Sequence, residues 1–303
     1  MKNSIKSPNY NSRSATIVLC LYFILGVSGL AARGVDNWKL VWHDEFNKNG
    51  PPDPANWTYE NGFVRNGESQ WYQPENAYCT NGLLTIDARL EHRRNPHFVP
   101  GSGDWREARQ WIECTSASLT TRGLHEFKYG KFEMRARIDT RAGSWPAFWT
   151  LGTGFNDRNP YASHAQWPDC GEIDIMEYYT GTVLANIAYK SPEQPTAKWS
   201  TVKKPIEQFG AGAWTKEFHI WTMVWDDQKI DLLLDGKPMN HFDIKNADDA
   251  AGGNPFNKPL YLKLNQAIGG SCGGDPSHTA FPIRFEVDWV RVYQRAEQDS
   301  PRK

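Results

Sequence analysis

Apolar and polar side chains alternate with a period of two along most of this chain. In the segment "YGKFEMRARID", Phe132, Met134, Ala136 and Ile138 alternate with charged residues. A period of two places alternate side chains on opposite faces of a strand, whereas a helix needs a period of 3.6. No long stretch of the sequence has a convincing helical period. We therefore predict an all-β protein.

Turn residues separate the strand-like segments. An Asn-Gly pair precedes "LLTIDARLE", and the segment "HIWTMVWDDQKIDLLLDGK" predicts two strands joined by a short turn. In "RFEVDWVRVYQ" the apolar phase changes after Trp289, which indicates a bulge or a strand that is covered on both faces. Many short strands joined by Gly, Pro and Asn turns favour a β-sandwich. The two sheets of such a sandwich would need most of the chain. We therefore predict one domain, from about residue 35 to residue 297.

Composition narrows the function classes. With 39% hydrophobic residues a packed core is feasible and global disorder is excluded. A net charge of −1 gives no electrostatic reason to bind nucleic acid. The chain has 14 Trp, 14 Phe and 12 Tyr, and many of them lie among polar and glycine-rich residues. Exposed flat rings suit the flat apolar faces of sugar rings.

The N-terminus predicts export. Basic residues precede the apolar run Ala15–Val27, and small residues follow it. The run is shorter than the ~20 residues that a membrane-spanning helix needs. We expect residues 1–32 to be a signal peptide that is removed, which leaves no integral membrane span in an exported protein. That protein would be periplasmic, attached to the cell surface or secreted.

Four cysteines remain after this segment: Cys79, Cys114, Cys170 and Cys272. In an oxidising compartment they could form two bridges with three possible connectivities. Their spacing selects none of these, and it does not match a metal site.

The segment "WPDCGEIDIMEYY" places three carboxylates within six residues. Glu172 and Asp174 share one face of a strand, whereas Glu177 is one residue out of step. A β-bulge adds one residue and reverses the facing of the residues after it. A bulge around Ile175–Met176 would therefore return Glu177 to the face of Glu172.

Three acids on one face suit glycoside hydrolysis. One carboxylate attacks the sugar or activates water, and the other protonates the leaving oxygen, so their pKa values must differ. Clustered acids separate their pKa values by mutual repulsion. Two other interpretations are a surface strand with solvated acids and a calcium site. Calcium sites prefer loops rich in Asp, Asn and Gly, which the apolar residues of this segment do not resemble.

"GEIDIMEYY" resembles the active-site signature of glycoside hydrolase family 16 in its bulged form, typical of the laminarinase, agarase and carrageenase branches. "LVWHDEFN", "YGKFEMRAR", "GSWPAFWTLG", "LNQAIGG" and "VDWVRVYQ" also resemble blocks of the family, in its order, over residues 38 to 294. The resemblance implies a β-jelly-roll sandwich with a concave substrate cleft. It implies that Glu172 is the nucleophile, Asp174 an assisting acid and Glu177 the general acid/base.

The resemblance also implies roles for other residues. Trp145, Trp149 and Trp167 match aromatic residues that line the cleft, and core packing is the alternative for each. The polar residues Asn66, Glu68 and Gln266 match positions that reach the sugar, although each could be structural. Family members often bind a structural calcium remote from the acids, and the matching candidates here are Glu45, Gly82 and Asp288. No cofactor is expected for catalysis.

One departure affects the predicted specificity. Many laminarinases carry histidines on the strand after the acidic one, where this chain has Asn186 and Tyr189. This departure argues against strict specificity for β-1,3-glucan. We predict a retaining endo-β-glucanase that hydrolyses a β-glucan polysaccharide with β-1,3 or mixed β-1,3/1,4 linkages, and we expect the enzyme to be a monomer.

The alternative within the family is a galactan hydrolase of the agarase or porphyranase type. A basic pocket for sulfated galactan would be built from the arginines Arg65, Arg93, Arg94, Arg106 and Arg109. A non-catalytic carbohydrate-binding jelly roll is less favoured, because all three carboxylates are present.

Overall fold

The computed structural model describes residues 37–155, 166–191, 196–210, 212–249 and 252–296. The predicted signal peptide, residues 1–32, lies outside these ranges. The described residues belong to one compact unit, and their strands pair into two sheets that pack as a sandwich. The prediction of an all-β sandwich is confirmed.

The first eight strands of the described residues are β1 (Trp38–Asp44), β2 (Thr58–Tyr59), β3 (Gln70–Tyr72), β4 (Ala77–Thr80), β5 (Leu83–Arg94), β6 (Trp111–Ser116), β7 (Ser118–Thr120) and β8 (Gly130–Ile138). The remaining strands are β9 (Ser144–Gly152), β10 (Glu172–Tyr179), β11 (Thr182–Lys190), β12 (Ala197–Pro205), β13 (His219–Trp225), β14 (Lys229–Leu234), β15 (Lys237–Asp243), β16 (Leu260–Ile268) and β17 (Ile283–Arg295). Helical segments are short: α1 (Trp105–Ala108) and 3-10 turns at Pro74–Asn76, Ile206–Phe209, Trp214–Lys216, Ile244–Ala247 and Pro255–Asn257.

Each sheet has a simple strand order. One has the path β15-β14-β13-β8-β17-β5-β6-β3, with β1 and β4 paired to β17 and β5. The other, which we call the cleft sheet, has the order β12-β11-β10-β9-β16-β7-β2. Strand β8 has the predicted alternation, since every second residue is buried from Gly130 to Ile138. The predicted pair of strands is the antiparallel hairpin β13–β14, and β17 has a bulge between Val287 and Trp289.

The core lies between the two sheets. Phe132 and Met134 of β8 belong to the same buried cluster as Ile173 and Ile175 of β10. Because apolar side chains from both sheets are removed from water together, this cluster supplies most of the hydrophobic stabilisation of the sandwich.

Strand β10 contains the predicted bulge. Asp174 pairs with Asn186 and Glu177 pairs with Leu184, so Ile175 and Met176 together oppose one residue of β11. The side chains of both residues are buried in the core. The bulge thus directs two successive apolar residues inward and returns the next residue to the opposite face.

Gly171 sets the entry into β10. Its φ is +73°, a left-handed conformation that favours glycine, and a Cβ at this position would lie 2.8 Å from the Cβ of Pro255. A larger residue would therefore displace the start of the acidic strand.

Candidate active site

The three acids of β10 lie on one face of the cleft sheet. Strand β9 runs beside them, with Leu151 opposite Glu172 and Ala147 opposite Glu177. Asp174, between the two glutamates, is 5% exposed. All three acids line a cleft of about 590 Å³. The bulge thus brings together the carboxylates that the sequence pattern alone leaves out of step.

Four N–H hydrogen bonds hold these carboxylates. Trp167 Nε1 donates to Glu172 Oε2 over 3.0 Å, and Trp145 Nε1 donates to Glu177 Oε1 over 2.7 Å. The amide of Asn186 on β11 donates to Asp174 Oδ2 over 3.0 Å and to Glu177 Oε2 over 2.8 Å. Each acid is thereby fixed in position without a direct ion pair among the described residues.

Burial raises the pKa of every member of this cluster, and repulsion within the triplet adds to the effect at Glu172 and Asp174. Burial, followed by the charge of Glu177, raises the pKa of Glu172 to about 7, against the opposing effects of Trp167, Arg65 and Lys263. Burial between two glutamates raises the pKa of Asp174 well above its ordinary value. The surroundings of Asp174 therefore favour its protonated form.

Glu177 has a different balance of effects. Burial raises its pKa, whereas the hydrogen bonds from Trp145 and Asn186 and the charge of Lys203 lower it. Glu177 thus accepts an N–H donor on each oxygen. This environment allows the carboxyl to be an acid in one step and a base in the next, as a glycosidase requires.

Aromatic rings flank the acids at two places. Trp167 and Trp199 lie with their ring centroids 6.2 Å apart beside Glu172. Trp145 contacts Tyr179 edge to face at 5.6 Å beside Glu177. All four rings line the cleft. Flat rings on both sides of the acids can bind sugar units on both sides of a scissile bond.

Trp149 lines the cleft and packs against a charge cluster. Its Nε1 donates to Asn265 Oδ1 over 2.7 Å. The Arg65 guanidinium lies 5.1 Å and Lys263 Nζ 4.6 Å from the ring centroid. Glu60 accepts hydrogen bonds from both cations. Since the indole packs on two charges that share a buried counter-ion, its orientation is fixed.

Five of the six predicted substrate residues line the cleft: Asn66, Glu68, Trp145, Trp149 and Trp167. Gln266 does not, and the structure corrects that prediction. Its side chain is fully buried and its amide donates to Ser144 Oγ and to the carbonyl of Ala267. Strand alternation explains the error, because Asn265 and not Gln266 lies opposite Ala147 on the cleft face.

Several cleft residues carry no signal in the sequence. Asn265, Trp199 and Lys203 line the cleft, as does Arg65, which the sequence indicates only as part of a basic pocket. Only the strand pairing places them in the cleft: Thr201 of β12 pairs with Asn186, which pairs with Asp174. Alternate residues of β12 therefore continue the cleft face, but this can be deduced only when the strand pairing is known.

The predicted calcium ligands do not fit a cation site in this arrangement. Glu45 accepts two hydrogen bonds of 2.8 Å from Arg291, and Asp288 is paired with Arg135. A carboxylate that already has an arginine counter-ion is a poor ligand for calcium. A Cβ built on Gly82 would lie 3.5 Å from the side-chain oxygen of Asn47. Within the described part of the chain, no group of three or more His, Cys, Asp and Glu residues could hold a metal.

The arginines of the predicted basic pocket do not gather in the cleft. Arg65 alone of the five lines it, and Arg65 is paired with Glu60. The other four stack on rings elsewhere in the described structure: Arg93 on Trp71, Arg94 on Phe98, Arg106 on Trp105 and Arg109 on Phe63 and Trp105.

Two further observations concern residues singled out by the sequence. The cysteines are free thiols, with Cys79, Cys114 and Cys170 buried and Cys272 half-buried in the cleft wall. Tyr189 is part of the core and does not reach the acids.

Over the described ranges, no helix has the length and apolar character needed to cross a bilayer.

Known proteins of similar sequence support the interpretation of this cleft as the active site of a glycoside hydrolase. The sequence model of "Glycosyl hydrolases family 16" matches residues 73–291. The chain belongs to this family and is a glycoside hydrolase. Among curated proteins, a β-glucanase of Rhodothermus marinus is 34% identical over 297 residues, which cover 91% of this chain and 93% of the relative.

Solved structures show the same fold. The catalytic domain of an endo-1,3-β-glucanase (laminarinase) from Thermotoga petrophila has a TM-score of 0.70 and 33% identity, and the match covers 86% of this chain and 99% of that one. A structure of an endo-acting O-glycanase from the human gut microbiota, of the kind that initiates mucin breakdown, has a TM-score of 0.76 and 32% identity, with 86% and 92% covered.

Proposed function

We propose that this protein is a retaining endo-β-glucanase that hydrolyses β-1,3-glucan or mixed β-1,3/1,4-glucan through a covalent glycosyl-enzyme intermediate. The observation that carries the proposal is the row of three buried acids on one face of the cleft sheet, held by indole and amide donors. The β-glucanase and laminarinase relatives support a glucan substrate.

In the first step, Glu172 attacks the anomeric carbon and the glycosidic bond breaks. Glu177 gives its proton to the leaving oxygen, so the departing sugar leaves as a neutral alcohol. Arg65 and Lys263 favour the ionised form of Glu172, which the attack requires. Asp174 lies between the two glutamates, and its raised pKa favours the form that adds no third negative charge.

In the second step, Glu177 is a carboxylate and removes a proton from water. The water attacks the anomeric carbon from the face that the leaving group vacated, and Glu172 is released. Two inversions give net retention. The donors from Trp145 and Asn186 stabilise the ionised Glu177 that this step needs.

Aromatic residues on both sides of the acids support endo action. Trp167 and Trp199 lie near Glu172, whereas Trp145 and Tyr179 lie near Glu177. An enzyme that cuts within a chain must bind sugar units on both sides of the cleaved bond, and stacking on flat rings provides this binding.

The second candidate is an endo-acting galactan hydrolase of the same family. The similarity to a keratan-sulfate endo-1,4-β-galactosidase of Sphingobacterium multivorum, 28% identical over 263 residues, supports it. The dispersed arginines disfavour the sulfated substrates of porphyranase type, because Arg65 is already paired with Glu60. A non-catalytic carbohydrate-binding role would not need three acids with raised pKa values around one cleft.

One experiment distinguishes these functions. Reducing-sugar release is measured on laminarin, lichenan, barley β-glucan, agarose, porphyran and mucin O-glycans, and proton NMR identifies the first anomer formed. We expect hydrolysis of laminarin or a mixed-linkage glucan, with β product appearing first and medium-length oligosaccharides early in the reaction. Hydrolysis of the galactans alone would overturn the glucan assignment, and an initial α product would overturn retention.

Export, a monomeric state and catalysis without a cofactor complete the proposal. Residues 1–32 have the pattern of a secretory signal. Intact mass of protein recovered from the envelope or medium should correspond to a chain that starts near residue 33, and a chain that begins at Met1 would contradict export. Treatment with a chelator should leave the hydrolysis rate unchanged in the folded protein, because the carboxylates carry the chemistry.

A further inference from the structure

Asn186 occupies a position that links two of the three acids. It lies on β11 opposite Asp174 and is 3% exposed. Its single amide nitrogen donates to Asp174 Oδ2 over 3.0 Å and to Glu177 Oε2 over 2.8 Å. One N–H₂ group therefore bridges Asp174 and the proposed acid/base, Glu177.

The bonds of Asn186 serve these acids and not the backbone. Its Oδ1 has no hydrogen-bond partner in the described structure, although it is buried. Asn240 offers a contrast, because its amide donates to the carbonyls of Ala185 and Ser200 and ties strands together. A buried amide with one unsatisfied atom costs stability, and the two bonds to the acids are what this amide provides in return.

The geometry points to Asn186 as a positioning residue that holds Glu177 in its acid/base orientation and keeps its proton transferable. This inference rests on the proposed function of the same site. When Glu177 gives its proton to the leaving oxygen, the new carboxylate already faces the Asn186 donor. No side-chain movement is required to stabilise the charge.

The other groups that face Glu177 act in opposing directions. Trp145 donates to its second oxygen, Lys203 of β12 favours the charged form, and Glu68 from the loop before β3 disfavours it. The remaining titratable neighbours of the cluster are Glu172 and Asp174 of the same strand, Arg65 and Lys263, which act on Glu172, and Tyr179 with Cys272 near it. Asn186 and Trp145 are the uncharged donors among these groups, so removal of either should raise the pKa of Glu177.

Asn186→Leu removes the amide at similar volume. A hydrogen bond to a charged group corresponds to a pKa change of about one to two units. Removal of the amide should raise the pKa of Glu177, because the donor stabilises the ionised carboxylate. The basic limb of the profile of kcat/KM against pH reports the acid that must be protonated in the free enzyme. That limb should therefore move to higher pH by a similar amount.

Leaving-group dependence gives a second readout. A weaker acid protonates a sugar leaving group less readily, so kcat/KM on glucan should fall roughly 10- to 100-fold in Asn186→Leu. Hydrolysis of an activated dinitrophenyl β-glycoside should fall much less, because that leaving group needs no proton. A merely structural defect would lower both rates together and leave the pH profile in place.

The test uses the full mature chain with three further variants. Asn186→Ser removes the amide without adding apolar bulk, in case the leucine variant does not fold. Asn186→His keeps one N–H donor and should recover part of the wild-type profile. Thr201→Val is the matched control, since Thr201 is the cleft-lining neighbour of Asn186 on β12 and has no hydrogen bond to the acids among the residues described.

A direct titration separates this inference from the proposed function. The carboxyl carbon of Glu177 is followed by ¹³C NMR from pH 4 to 9, with Glu177→Gln used for assignment. We expect its titration to move upward in Asn186→Leu and Asn186→Ser, less in Asn186→His, and not in Thr201→Val. An unchanged titration in the first two variants, or an equal change in Thr201→Val, would overturn the role of Asn186. This readout holds even if the wild type cleaves no glucan.

Discussion

Glu172 and Glu177 are the same residue type five positions apart, and their surroundings give them different tasks. Glu172 has one N–H donor, from Trp167, and lies within the influence of Arg65 and Lys263. Glu177 has donors on both oxygens. Paired carboxyl groups in unlike environments are the usual basis for assigning acid and nucleophile.

Replacement of each glutamate should give a different chemical phenotype. Glu172→Ala should lower turnover by roughly a thousandfold or more, because the attacking carboxylate is gone. Azide should restore part of that rate on an activated β-glycoside by entering the vacated space. The product should be an α-glycosyl azide, identified by NMR.

Glu177→Ala provides the matching comparison. It should retain formation of the glycosyl-enzyme from an activated substrate, and azide should then yield the β-glycosyl azide. If the two variants exchange these products, the assignment of nucleophile and acid/base is reversed.

At the scale of single residues, the sequence predicts the acids better than the residues around them. The triplet can be found because its spacing conflicts with a regular strand. Gln266 and Asn265 are both polar and adjacent, and only the pairing of Asn265 with Ala147 decides which one faces the cleft. Lys203 and Trp199 lack any local signal, since β12 reaches the cleft through pairing with β11.

Strand β10 is the element on which the site depends. Its bulge places Ile175 and Met176 in the core and Glu177 in the cleft. A regular strand with this sequence would bury Glu177 in the apolar core, at a cost of several kcal/mol unless it stayed protonated. The bulge is therefore a condition for both stability and catalysis.

Deletion of Met176 tests this element. The strand would then read Glu-Ile-Asp-Ile-Glu, with all three acids on one face and every apolar residue on the other. The protein should remain folded with measurable activity, although the loss of a buried methionine should cost roughly 2–5 kcal/mol. Thermal melts and glucan hydrolysis measure both effects.

An alanine inserted after Ile173 is the counterpart. It should turn Asp174 and Glu177 toward the core and remove activity together with much of the stability. A folded, active insertion variant beside an unfolded Met176 deletion would show that the two glutamates need not share a face.

Local pattern accounts for the elements but not for their arrangement. The alternation of β8 and the short turn of the β13–β14 hairpin can be predicted, because both depend on neighbouring residues. The order β12-β11-β10-β9-β16-β7-β2 cannot, since β16 pairs with β9 across more than a hundred residues. Such pairings depend on contacts that one sequence does not reveal, and family resemblance therefore gives the fold class its further support.

Across the whole molecule, the active site is a source of instability that depends on pH. The folded protein surrounds three carboxyl groups with apolar and aromatic residues, and this raises their pKa values. A raised carboxyl pKa means that the folded state binds more protons than the unfolded state. Stability is then highest at low pH and falls as the pH rises from the unfolded pKa to the folded pKa.

Glu172 gives a measurable case. Its pKa of about 7 lies above the ordinary value of 4.5, so its ionisation should remove about 3 kcal/mol of stability between pH 4.5 and pH 7. Glu172→Gln keeps an acceptor for Trp167 Nε1 but carries no charge, and it also relieves repulsion on Asp174. We expect the variant to be inactive, to melt several degrees above the wild type at pH 8, and to match it near pH 4.5.

Glu113→Gln is the control, since that side chain is 66% exposed and its replacement should leave the pH dependence unchanged. Thermal melts from pH 4 to 8 give the comparison. A Glu172→Gln variant that is no more stable than the wild type at pH 8 would mean that the ionised nucleophile is already compensated by its surroundings, and that the raised pKa values do not weaken the fold.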